Sequence, residues 1–140
     1  MTITTVTHVN FRRQAREALA FYRSVFGGEI ALVTHAQAYG TTDPDEADLV
    51  SWGQVVSDAG FAVMAHDVPA QRVWSAGEAP YFVSVRGDDT DEISGYWNRL
   101  SEGANIIQPL AQSGWARLYG MLEDRFGVTW VLDVPAYSGS

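Results

Sequence analysis

The sequence predicts an α+β fold in which two βαβββ modules form curved mixed sheets around a cleft. Three observations predict it. The order strand, helix, strand, loop, strand, turn, strand can be read twice within 140 residues. An aromatic pair, Phe21-Tyr22 and later Tyr96-Trp97, begins seven residues before a glycine, Gly28 and Gly103. Each copy also passes from an Asp/Gly turn through an apolar strand into Asp-Val-Pro-Ala, at Asp67 to Ala70 and Asp133 to Ala136. One such match could be chance, but the same order twice marks an internal repeat. The chain therefore reads as one domain, 1–140, made of module 1 (3–67) and module 2 (80–135).

The first copy opens with a strand from Ile3 to Phe11, rich in Thr, Val and Ile. Alternation puts Val9 and Phe11 on one face, His8 and Asn10 on the other. Arg13 to Phe26 is an amphipathic helix, because Ala15, Ala18, Leu19, Tyr22, Val25 and Phe26 recur at three- and four-residue steps. Gly27-Gly28 ends it, glycine being free to take the conformation a helix exit requires. Glu29 to His35 is extended. Gln37 to Asp48, with Gly40, Pro44, Asp43, Asp45, Glu46 and Asp48, reads as a loop, and His35 before it as a surface residue. Leu49 to Ser57 and Phe61 to His66 form a hairpin across Asp58-Ala59-Gly60. Asp67 to Ala79 is the linker.

The second copy starts with a strand from Tyr81 to Arg86. Gly87-Asp88 turns it, and Asp89 caps a helix with Glu92 completing a capping-box-like pair. Ile93, Tyr96, Trp97 and Leu100 form that helix's buried stripe, and Gly103 ends it. Asn105 to Ile107 is a short strand, and Gln108 to Ala116 a loop. Leu118 to Glu123 and Val128 to Val134 close the module as a hairpin turned by Asp124 to Gly127. With one helix per four strands, each sheet keeps a face that no helix covers. Two curved sheets side by side enclose a cleft, the natural place for a ligand.

Composition narrows the partners. The formal net charge is −8, whereas nucleic acids and anionic membranes require clustered Lys and Arg, so neither is expected. With no cysteine in the chain, thiol catalysis, disulfides and thiolate metal ligation are excluded. Met1 to Thr5 lacks the basic and apolar regions of a signal peptide, and no apolar run approaches bilayer length, so the expected compartment is the cytoplasm.

Three separated motifs carry a family resemblance: Glu17-Ala18-Leu19-Ala20-Phe21-Tyr22 with Val25-Phe26; Tyr96-Trp97-Asn98-Arg99-Leu100-Ser101-Glu102-Gly103; and Tyr119-Gly120-Met121-Leu122-Glu123-Asp124-Arg125-Phe126-Gly127-Val128-Thr129-Trp130. In this order they resemble the vicinal oxygen chelate superfamily of glyoxalase I, bleomycin-resistance proteins and extradiol dioxygenases. Within it they resemble the PhnB-like branch, often labelled 3-demethylubiquinone-9 3-methyltransferase. The resemblance implies a homodimer. It also implies a divalent metal held by His, Gln or Glu on the first and last strands of each module. The last-strand positions, four residues after the turn glycines Gly60 and Gly127, carry Met64 and Val131. The position on the fifth strand falls near Phe82, and the first strand offers His8. One ligand type among four positions implies the fold without the metal, so neither metal nor cofactor is expected.

The candidate ligand-binding residues are His8, Asn10, Trp52, His66, Ser84, Arg86, Trp115 and Tyr119. His8 and His66 offer imidazoles that can act as bases near neutral pH. Asn10 and Ser84 supply polar contacts. Arg86 suits a ligand carboxylate or phosphate, or else a salt bridge to Asp88 or Asp89. Trp52, Trp115 and Tyr119 can stack on a flat ligand, whereas Trp97 and Trp130 lie on apolar stripes and belong to the core. No glycine-rich loop joins a strand to a helix as a doubly wound nucleotide site would require, so methyl transfer is not expected. Two readings stand: a metal-free protein binding a small aromatic or amphipathic molecule, or an enzyme, either a metal-dependent lyase, isomerase or dioxygenase with a rearranged site around His8 and His66, or a metal-free isomerase or lyase.

Overall fold

In both halves a strand at a sheet edge leads into a helix, and the chain then returns to lay its last strand parallel beside the first. The computed structural model describes residues 3–75, 77 and 80–136. Met1, Thr2 and three residues of the expected linker, Ala76, Glu78 and Ala79, lie outside them. The first half runs β1 (Thr7–Phe11), α1 (Ala15–Phe26), β2 (Glu29–Thr34), α2 (His35–Tyr39), β3 (Val50–Val56) and β4 (Ala62–Asp67). The second runs β5 (Val83–Arg86), α3 (Thr90–Leu100), β6 (Asn105–Ala111), β7 (Ala116–Glu123) and β8 (Thr129–Pro135). The sheet orders are β1-β4-β3-β2 and β5-β8-β7-β6, the same arrangement twice. In each, the outer pair β1/β4 or β5/β8 is parallel and the remaining pairs are antiparallel. The chain divides into two compact units, Met1–Ala76 and Gly77–Ser140. Among the described residues no helix is long and apolar enough to cross a membrane.

All six residues of the expected α1 stripe are buried against the first sheet, as are Ile93, Trp97 and Leu100 of α3 against the second. Trp130, wholly buried, joins the second core with Leu122 and Leu132. The repeat extends to two glycines. Gly53 on β3 pairs with Ala65, and Gly120 on β7 pairs with Leu132, each on the helix side of its sheet. A Cβ on Gly53 would come within 2.5 Å of Leu19 Cδ1; one on Gly120 would stand 2.8 Å from Trp97 Cζ3 and 3.0 Å from the Leu110 backbone. Both glycines let a large helix residue sit close on the strand. A leucine tip can rotate away, whereas an indole ring and a backbone cannot. Gly120→Ala is therefore expected to cost about 1–3 kcal/mol by overpacking, and Gly53→Ala less, as read from urea unfolding midpoints.

Several elements differ from expectation. The first strand begins at Thr7, and Ile3 is 93% exposed. His35 is buried rather than on the surface: it opens α2, where the expected strand ended and the loop began. A reciprocal capping box explains this short helix, with Thr34 Oγ1 accepting from the Gln37 amide and Gln37 Oε1 accepting from the Thr34 amide. Asp89 does cap α3, accepting from the Asp91 and Glu92 amides. Glu92 instead accepts a bond from the Tyr96 hydroxyl, which holds Tyr96 at the partly exposed edge of the stripe. The segment from Gln108 to Ala111, expected as loop, continues β6 despite Pro109, because β6 is an edge strand and tolerates a missing donor.

Candidate functional site

Asp67 organises the first module. It ends β4, is 1% exposed, and its carboxylate accepts from the Ala15 amide that begins α1 and from the Val50 amide that begins β3. The donors are orphans of a helix start and a strand start, so one side chain sets the direction of both elements. The neighbouring residue His66 must then point away from the helix.

That opposite face of the first sheet holds the first group of candidates. Registers pair His8 with Met64 and Asn10 with His66 across β1 and β4. His8 and His66 are diagonal neighbours, with ring centroids 6.3 Å apart. Trp52, on β3 beside Val33, alternates with helix-facing Gly53 and so shares this face. The His66 ring is held by a 2.6 Å contact between Nδ1 and the Ser51 carbonyl. A carbonyl only accepts, so Nδ1 carries the proton and Nε2 is left as the acceptor of the neutral ring.

His8 stands on an edge strand with much of its ring in water. What burial it has, and then the charge His66 would carry, oppose protonation and lower its pKa from the ordinary histidine value. Between that lowered value and the ordinary one the unfolded chain binds more protons than the folded chain. Stability from this group is thus complete above the ordinary value and falls as pH drops through the window. His66→Gln should move the His8 titration, followed by imidazole NMR shifts, partly back upward while the burial contribution remains.

The second group lies on the corresponding face of the second sheet. Registers pair Ser84 with Val131 and Arg86 with Asp133. Arg86 is not bound to Asp88 or Asp89. Its Nε and Nη2 donate to the two Asp133 oxygens at 3.1 and 2.8 Å, a forked pair that raises the guanidinium pKa. Trp115 and Tyr119 pack edge to face, centroids 5.3 Å apart, with Trp115 67% exposed.

The registers also correct the expected metal position near Phe82, which precedes β5. Ser84 stands to Val131 as His8 stands to Met64. The four equivalent positions therefore offer an imidazole, a thioether, a hydroxyl and a hydrocarbon. Neither pair, His8 with Met64 in the first sheet or Ser84 with Val131 in the second, offers the donors that suit the divalent cation implied by the family resemblance. Among the described residues no three His, Asp or Glu side chains are placed to hold a metal ion.

The repeated Asp-Val-Pro-Ala is out of step by one residue. Asp67 lies seven residues after Gly60 but Asp133 only six after Gly127. One residue turns a strand side chain to the other face, so Asp67 caps a helix while Asp133 faces Arg86.

A polar cavity of about 380 Å³ in the first unit was not read from the sequence. His35 and His66 form part of its wall, with Tyr39, Thr41 and Asp43 from α2 and the segment after it. Glu46, Pro69, Gln71 and Arg72 complete the lining. The acidic segment is tied down: Arg13 Nη1 pairs with Glu46 at 2.9 Å, and Glu46 Oε1 accepts from the Ala70 amide. Arg12 Nη2 donates to the Arg72 carbonyl at 2.7 Å. A hint lay in the histidines, since all three, His8, His35 and His66, fall in the first 66 residues.

Comparison with known proteins agrees with this architecture. A family model described as Glyoxalase/Bleomycin resistance protein/Dioxygenase superfamily matches residues 5–132. Protein YjdN from Escherichia coli strain K12 is 20% identical over 135 residues, 91% of this chain and 92% of that protein. The solved structure of PA1353 from Pseudomonas aeruginosa is 27% identical with a TM-score of 0.84, covering 96% of this chain and 98% of that one. The PhnB protein from Bacillus cereus, whose name offers it as a 3-demethylubiquinone-9 3-methyltransferase, is 22% identical with a TM-score of 0.68 over 94% of this chain and 99% of its own. Because the family match runs from before β1 into β8, across both copies of the repeat, the chain belongs to the Glyoxalase/Bleomycin resistance protein/Dioxygenase superfamily.

Proposed function

We propose that this chain is a small-molecule binding protein of that superfamily, taking an aromatic or amphipathic ligand without a metal on the uncovered faces of its sheets. The observation that carries this reading is the set His8, Met64, Ser84 and Val131 at the four register-equivalent positions. Three of the four lack a nitrogen or carboxylate donor, and two are apolar. Trp52 on one sheet, and Trp115 against Tyr119 on the other, supply aromatic walls. The methyltransferase name of the Bacillus cereus neighbour is not carried over. The turns from β1 to α1 (Arg12-Arg13-Gln14) and from β5 to α3 (Gly87-Asp88-Asp89) hold no phosphate-cradling glycine series.

Metal analysis of the purified protein is expected to give far less than one equivalent of nickel, zinc, iron or manganese. A screen of aromatic antibiotics should contain compounds that raise the melting temperature by about 5–10 °C at saturating concentration. That shift should shrink in Trp52→Ala or Trp115→Ala. One equivalent of metal, lost in His8→Ala, would overturn the reading. The enzymatic reading is favoured by His8, whose lowered pKa leaves a neutral imidazole beside His66 near neutral pH. Turnover abolished by His8→Gln, with ligand binding intact, would establish it.

The protein is further proposed to act as a homodimer in the cytoplasm. Edge strand β6 exposes Ile106 and Ile107, apolar surface that a second copy would cover. Light scattering at the monomer mass would remove the dimer from the proposal.

A further inference from the structure

The cavity beside α2 shares only His66 with the candidate residues above, and its chemistry is different. Its back wall is built rather than accidental. His35 is 2% exposed, with Nε2 donating to the Asp67 carbonyl at 3.0 Å, and its ring centroid lies 6.0 Å from that of His66. Both tautomers are thereby set by backbone carbonyls. The Tyr39 ring meets His35 edge-on at 5.5 Å and offers an apolar side. Glu46 is already neutralised by Arg13 and the Ala70 amide. Two charges on the lining have no ion-pair partner among the described residues. Among the described residues the Asp43 carboxylate accepts only from the Asp45 amide, and the Arg72 guanidinium pairs with no carboxylate, Asp43 included.

A ligand for such a wall must satisfy one anion and one cation that do not satisfy each other. A plain anion would meet Asp43 in a chain of net charge −8, and a plain cation would meet Arg72. A metal ion would need three converging donors, which the described residues do not provide. We propose that this cavity is a binding site for a small zwitterion of the α-amino acid class. Its carboxylate lies on Arg72 and its ammonium on Asp43, with its side chain along Tyr39 and Pro69. This assignment stands independently of the aromatic-ligand reading.

The test is NMR titration of the whole chain, following the imidazole resonances of His35 and His66. The probes are millimolar L-phenylalanine, L-leucine and L-glutamine. Phenethylamine and 3-phenylpropionate, each lacking one of the two charges, serve as controls. At least one amino acid should shift both rings in a saturable way, and for phenylalanine each singly charged analogue should bind about tenfold more weakly. Arg72→Gln and Asp43→Asn, both on the exposed surface, should each weaken the amino acid about tenfold while leaving any thermal response to aromatic antibiotics unchanged. Silence of both rings to all three amino acids overturns the proposal. So does equal binding of an analogue, or affinity unchanged in both variants.

Discussion

Asp67→Ala is expected to lower the unfolding free energy by about 3 kcal/mol. The substitution leaves the Ala15 and Val50 amides without an acceptor in a site where the side chain is 1% exposed. Buried unpaired donors cost about 1–3 kcal/mol each, and water can enter only by loosening the start of α1 or β3. Asp67→Asn should fall between. Its oxygen can still accept one bond, while its NH₂ group turns a donor toward the other amide. Asp133, one step out of phase in the repeat, is the control. Its partner Arg86 is 68% exposed and can return to water, so Asp133→Ala should cost clearly less. Urea unfolding followed by far-UV circular dichroism measures all three. Equal losses at the two aspartates would refute the different roles assigned to them.

Asp124→Ala is expected to cost about 3–4 kcal/mol, the largest single loss in the second module. One Asp124 oxygen accepts from the Phe126 and Val128 amides, and the other accepts from Trp130 Nε1 at 2.9 Å. The turn and the core are thus joined through a buried carboxylate, and Trp130 itself has no exposed surface. Asp124→Asn separates the two duties, because its oxygen can keep the turn while its NH₂ group opposes the indole N–H. Trp130→Phe removes that conflict at the cost of a smaller ring. In a double-mutant cycle the two substitutions should therefore couple favourably by about 1 kcal/mol. Additive losses would show that the indole bond contributes nothing.

These two carboxylates also show where sequence reading stops. Asp124 was legible as a turn residue, since Asp124 to Gly127 separates two apolar strands. Its reach to Trp130 was not, because a strand pattern says which face a side chain takes but not what lies within bonding distance. Asp67 and Asp133 looked like the same residue of a repeated tetrapeptide. The two hairpin turns are equally long, but Asp67 stands three residues after Met64 and Asp133 only two after the equivalent Val131, which puts them on opposite faces. His35 looked like the last residue of a strand before an acidic loop. Thr34 and Gln37 instead start a short helix there and turn the ring into the protein. The cavity it lines is made by segments far apart in the chain, around 35–46 and 66–72, and no local pattern marks such a meeting.

The amino-acid sequence by itself determined the duplicated βαβββ plan, the buried stripe of α1, the capping of α3, and the poverty of metal ligands at the expected positions. These follow from periodicities and residue types that act within one element, where hydrophobic burial and backbone geometry leave little choice. Only the tertiary structure decided that Ser84 rather than Phe82 is the counterpart of His8, that Arg86 is held by Asp133, and that His35, Asp43 and Arg72 line one cavity. Each of those outcomes depends on strand register and loop closure. There a shift of one residue, about 3.4 Å along a strand, exchanges one set of neighbours for another without altering the local pattern.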